Sequence, residues 1–145
     1  MKRLLLIIFL LTPYICNLSQ AGGDKEVLIS EIPSKVEDFM HIYFDGSEIE
    51  RVTKRIETNL YKVVTTDSMT FYFEKSGKWR AIDCNTETVP SLLIPREILH
   101  QVAKIYGPTA KIVIIDRHKK GYHIKLSNDV VLGFTKRFKL IPVEQ

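Results

Sequence analysis

What most limits the fold of this chain is that its apolar pattern is written twice. Pro33 and Pro95 lie 62 residues apart, as do Val36 and Ile98, and Phe44 and Tyr106. Downstream the offset is 61, relating Tyr61 to Tyr122, Val63 to Ile124 and Phe73 to Phe134. One unit opens at Ile32-Pro33, the other at Ile94-Pro95. A small α+β unit duplicated in tandem, with no catalytic motif in either copy, predicts a binding surface rather than an active site.

The N-terminus bears on the compartment. Lys2 and Arg3 form a positive stretch ahead of the unbroken apolar run Leu4 to Leu11, the pattern of an export signal. Even extended to Ile15, that run is shorter than the roughly 20 residues a membrane-spanning helix needs. Ser19-Gln20-Ala21 places small residues where a signal peptidase reads them, so cleavage after Ala21 is expected. A lipid anchor on Cys16 is the rival, weakened by the bulky Tyr14 and Ile15 before it. The expected location is periplasmic or secreted, with membrane association only if Cys16 is lipidated.

Removal of residues 1–21 takes away Lys2 and Arg3, leaving 19 basic and 17 acidic residues, a formal charge of +2. A near-neutral exported chain gives no electrostatic footprint for nucleic acid. The charge is unevenly placed. Residues 22–93 carry 9 basic and 13 acidic side chains, and residues 94–145 carry 10 and 4. Solvated faces and mutual attraction of the repeats explain this, and so does a basic patch on the second repeat for an anionic partner. Only Cys84 survives cleavage, so no intramolecular disulfide is available. A chain of about 124 residues can be held by its core alone, burying about two-thirds of its unfolded surface. No neighbouring base marks Cys84 as a nucleophile.

Each repeat reads as one helix followed by a four-stranded antiparallel meander. Pro33 suits a helix's first turn, and Val36, Phe39, Met40, Tyr43 and Phe44 form a one-sided apolar stripe. Asp45-Gly46 ends it. Strands are expected near Glu48–Ile56, Leu60–Thr66, Met69–Glu74 and Lys78–Asp83, joined by short polar turns. In the second repeat Ile98, Val102, Ile105 and Tyr106 line the helix, which Gly107-Pro108 stops. Strands follow near Lys111–Arg117, Tyr122–Ser127, Val130–Thr135 and Phe138–Pro142, with Asn128-Asp129 as a tight turn. The expected organisation is thus signal peptide 1–21, lead-in 22–31, repeat 32–84, linker 85–93 and repeat 94–145.

Alternation along the strands separates two sheet faces. Tyr61, Val63, Thr65, Phe71 and Phe73, with Tyr122, Ile124, Leu126, Leu132 and Phe134, are assigned to the core under the helices. Trp79 is expected to be buried as well. The opposite face then offers Lys62, Val64, Tyr72 and Glu74, joined by His123, Lys125, Val131 and Gly133. From these, Lys62, Tyr72, Glu74, His123 and Lys125 are the candidate binding residues, with Lys62 and Lys125 exposed. An ordinary solvated sheet has the same composition.

Read in order, Ile32-Pro33, Tyr61-Lys62-Val63, Phe71-Tyr72-Phe73 and Gly77-Lys78-Trp79, then Ile94-Pro95 and Tyr122-His123-Ile124, give a doubled pattern. It resembles the PepSY-like, putative β-lactamase-inhibitor-like family of exported Bacteroidetes proteins over nearly the whole mature chain. The second copy lacks Gly-x-Trp and has Lys136-Arg137-Phe138 instead. The resemblance implies tandem α+β units whose sheets join into a curved surface, and no inhibitory contact residue carries over.

Catalytic motifs are missing: there is no Gly-x-Ser-x-Gly, His-Glu-x-x-His or Cys-x-x-Cys. His118 and His123 flank the turn Lys119-Lys120-Gly121, and Asp116 is near, but flanking lysines oppose a cation; no metal or other cofactor is expected. The favoured expectation is a non-enzymatic exported module that binds or inhibits a protein or peptide of the cell envelope. The alternative is an envelope-sensing domain for a glycan, lipid or peptide.

Overall fold

The apolar alternation and the paired prolines resolve into an α+β fold in the computed structural model, which describes residues 23–141. Two α-helices accompany a nine-stranded antiparallel open sheet, arranged as two helix-plus-meander units. The expected signal peptide, with Cys16, and the last four residues of the second repeat lie outside the described residues. The order is β1 (Asp24–Glu26), α1 (Ser34–Tyr43), β2 (Ile49–Arg55), β3 (Tyr61–Thr65), β4 (Thr70–Phe73) and β5 (Trp79–Asp83). There follow α2 (Arg96–Tyr106), β6 (Ile112–His118), β7 (Gly121–Leu126), β8 (Val131–Thr135) and β9 (Leu140–Ile141). Every strand pairs with its neighbour in sequence, from β1 at one edge to β9 at the other.

The duplication reaches the backbone. Pro33 and Pro95 each stand immediately before a helix with φ of −57° and −52°, one position earlier than the first-turn placement expected. Their carbonyls accept from the Val36 and Ile98 amides at 2.9 and 3.0 Å. A short 3-10 turn precedes each proline, Ile29–Glu31 and Ser91–Leu93, again 62 residues apart. Left-handed residues recur at an offset of 61, at Gly46 and Gly107, Ser68 and Asp129, Gly77 and Phe138. That last pair corrects the alignment of the missing Gly-x-Trp. The Gly77 amide donates to the Glu74 carbonyl and the Phe138 amide to that of Thr135, both at 2.9 Å. Gly77-Lys78-Trp79 therefore corresponds to Phe138-Lys139-Leu140, not to Lys136-Arg137-Phe138.

One hydrophobic core unites both units. Val36, Phe39 and Met40 of α1 and Ile98 and Val102 of α2 join Phe71, Phe73, Ile82, Ile115, Ile124 and Phe134 from the sheet. Both helices therefore cover the same face. Phe39 meets Phe73 edge-on at 5.3 Å and Phe44 meets Phe71 at 4.7 Å, a geometry aromatic pairs favour. The second helix departs from its expected stripe, with Ile105 52% and Tyr106 38% exposed. Tyr106 is the counterpart of Phe44, but the counterpart of Phe71 is the shorter Leu132, so no ring stands beneath it. Tyr61, Phe73 and Phe134 are buried as expected. Trp79 is only half-buried, its ring covered by the Arg117 guanidinium at 4.1 Å.

Candidate functional site

The face away from the helices takes its order from strand register. Directly paired residues share a face, so Glu26, Thr53, Lys62, Tyr72, Ala81, Asp116, His123, Gly133 and Ile141 form one row across all nine strands. A second row runs Arg51, Val64, Thr70, Asp83, Ile114, Lys125 and Val131. Of the five candidate residues, Lys62 and Tyr72 are direct cross-strand partners and His123 stands in their row. Lys125 lies in the adjacent row. Glu74 does not join them: β4 ends at Phe73, and Glu74 belongs to the following hairpin, its amide bonded to the Lys78 carbonyl at 2.8 Å.

Lys62 and Lys125 are half-buried rather than exposed. Long cationic side chains lay their methylenes along neighbours and keep the charged head in water, and the Lys125 ammonium reaches Asp129 at 3.0 Å. Tyr72 is half-buried and His123 exposed. The small Ala81 separates Tyr72 from Asp116 along the row.

The polar group around Asp116 was only partly legible. His118 and His123 lie against one another with ring centroids 4.6 Å apart and planes tilted by 45°, and Arg80 Nε lies 3.3 Å from Asp116 Oδ1 across the β5–β6 seam. Burial pushes the His118 imidazole below its usual titration range, and the neighbouring His123 adds to this while Asp116 opposes it. Arg117, also lowered by burial, donates to the Trp79 carbonyl. Sequence reasoning passed over Arg80 and Arg117. Their signal was weak: one basic residue on each of two strands whose pairing across the repeat junction no local pattern announces. Among the described residues, no three His, Cys, Asp or Glu side chains come together as a metal-ligand set. Cys84 is buried, and burial, helped by the Asp83 carboxylate, pushes its thiol up to about 12; it remains protonated and poorly nucleophilic.

The family model described as "Putative beta-lactamase-inhibitor-like, PepSY-like" matches residues 59–142. Among solved structures, a "putative calcium-regulated periplasmic protein" from Bacteroides thetaiotaomicron is 31% identical with a TM-score of 0.76, covering 84% of this chain and 97% of that one. A "putative periplasmic protein of unknown function" from Bacteroides vulgatus is 25% identical with a TM-score of 0.78, covering 85% and 100%. Another Bacteroides vulgatus protein described as periplasmic is 28% identical with a TM-score of 0.78, covering 86% and 99%. No curated protein matches the chain.

Proposed function

Because this chain belongs to the PepSY-like, beta-lactamase-inhibitor-like family, we propose that it is an exported, non-enzymatic module that binds a protein or peptide of the cell envelope through its open sheet face. Export is supported by the N-terminal charge and apolar run and by the periplasmic descriptions of the structural relatives. The observation that carries the reading is the row from Glu26 to Ile141, with Lys62, Tyr72 and His123 in register on a face neither helix covers. Side chains held on a continuous sheet present a surface without ordering a loop on association, which lowers the entropic cost of binding.

Tyr72 is the anchor of this reading, large in area and polar at its tip, the kind of side chain enriched at binding hot spots. The test is capture of partners from periplasmic extract with the purified protein, followed by affinity measurement. Tyr72→Ala is expected to weaken binding by about 2 kcal/mol or more, roughly 30-fold. Lys35→Ala, on the helix side, is expected to change little. Equal affinity for both variants, or damage from the helix-side change alone, would refute the surface.

A further inference from the structure

We propose that the end of the sheet where the β4–β5, β6–β7 and β8–β9 hairpins converge is a binding site for a multiply charged small oxyanion, a phosphate ester or a polycarboxylate. A cleft of about 390 Å³ opens there. Lys78, Arg80, Arg117, His118, Lys119 and Lys136 line it, against the single carboxylate of Glu74. This is the localised form of the basic excess of residues 94–145, and the first repeat contributes Lys78 and Arg80 to it. The charge is convergent rather than scattered, because three hairpins deliver it to one place.

Two observations separate this cleft from a solvated lysine surface. The first is a buried donor without an acceptor. The Lys120 amide donates to His118 Nδ1 at 3.2 Å, so the neutral imidazole carries its proton on Nε2. Nε2 is buried and has no hydrogen-bond partner, and a buried donor left unpaired is costly. His118 lines the cleft, and a small rotation of its ring toward an anionic oxygen there would satisfy Nε2. The second is a preorganised cation. Arg117 is clamped by the Trp79 ring at 4.1 Å and by the Trp79 carbonyl, so its guanidinium is already placed before any ligand arrives. Arg80 is half-buried beside Asp116, which leaves Lys78, Lys119 and Lys136 as the exposed, unfixed cations.

Anion binding and His118 protonation are then linked. An oxyanion favours the imidazolium, and by reciprocity protonation favours the anion by the same factor. The titratable and charged groups around His118 are His123, Asp116, Arg80 and Lys120, with Glu74, Lys78, Arg117, Lys119 and Lys136 lining the same cleft. Of its nearest neighbours, Asp116 favours the imidazolium and the others oppose it.

The test needs no protein partner, which keeps its outcome independent of the sheet-face reading. The ¹⁵N-labelled protein is titrated with inorganic phosphate, with citrate, and with sodium chloride at matched ionic strength, while amide shifts and the His118 titration are followed by NMR. Saturable shifts centred on residues 78–80 and 117–121 are expected with phosphate or citrate but not chloride, with about a tenfold gain in His118 proton affinity at saturation. Response to phosphate alone assigns phosphate esters, and response to citrate alone assigns polycarboxylates. The exposed triple variant Lys78→Ala, Lys119→Ala, Lys136→Ala is expected to weaken binding at least tenfold with an unchanged fold. Shifts that merely follow ionic strength, saturation elsewhere, or undiminished binding by the triple variant would overturn the site.

Discussion

Gly77→Ala isolates the contact that seats the first helix on its hairpin. Gly77 has φ +85°, and a Cβ built on it would lie 2.8 Å from Lys35 Cβ and 3.3 Å from Pro33 Cβ. Those carbons belong to the entry of α1, not to the free end of a flexible chain, so the helix or the hairpin has to move. Gly46 is the internal control, with φ +93° and nothing within 4 Å of the added carbon. Gly46→Ala therefore incurs backbone strain alone, about 1–2 kcal/mol. Gly77→Ala incurs the same strain plus overpacking of about 1–3 kcal/mol, about 2–5 kcal/mol together. Urea unfolding followed by fluorescence reads both variants, because Trp79 is the only tryptophan and sits half-buried two residues from the mutated position. The expected order is a clear excess for Gly77→Ala, with the slope against urea unchanged. A Gly77→Ala cost no greater than that of Gly46→Ala would refute the seating argument and place α1 farther from the hairpin.

Three further outcomes are expected. Phe73→Ala, which removes a fully buried ring packed edge-on against Phe39, should cost about 3–5 kcal/mol in urea unfolding; a loss under about 1 kcal/mol would mean that the sheet faces are inverted. Asp67 is held below the usual carboxylate range chiefly by the Thr65 hydroxyl, so its stabilisation is present above its unfolded value of about 3.9 and fades as pH falls through the lower folded one. Asp67→Asn should flatten the acid limb of the stability curve, and superimposable acid limbs would show that the Thr65 contact contributes nothing. Cys84 should resist a thiol reagent at pH 8 until urea unfolds the chain, whereas rapid labelling of the native protein would contradict its burial.

Much of the fold was legible because apolar residues at fixed offsets do two jobs at once. Val36 with Phe39 and Phe71 with Phe73 set helix and strand periods locally, and their counterparts at Ile98, Val102, Leu132 and Phe134 repeat them. What stayed hidden has physical reasons. Strand β1 is Asp24-Lys25-Glu26, all exposed, so no apolar alternation could announce it. Phe138 occupies the left-handed position that Gly77 fills in the first copy, at φ +62°, and a bulky residue there disguises the equivalent hairpin. Its ring packs on Tyr122 at 5.7 Å and its carbonyl accepts from Gln101 at 2.6 Å, contacts that help offset the strain. At the candidate site, strand alternation put Lys62, Tyr72, His123 and Lys125 on one face. Glu74 was misplaced because a two-residue period continues past the strand end, where the chain has already turned.

The hidden strand explains how two copies make one surface. Glu26 pairs with Thr53 as Ala81 pairs with Asp116, and Thr53 and Asp116 are equivalent positions of β2 and β6. β1 thus holds beside β2 the place that β5 holds beside β6, and each leads through a 3-10 turn and a proline into its helix. β5 serves both units: it closes the first meander through Tyr72↔Ala81 and opens the second through Ala81↔Asp116. Sharing that strand is what carries the row of side chains across the junction unbroken, and it joins Arg80 of the first copy to Asp116 of the second. At the far edge β9 occupies the place of β5, paired with β8 through Gly133↔Ile141 and Phe134↔Leu140. The open face, which runs unbroken from β1 to β9, is thus the extended surface of the sheet.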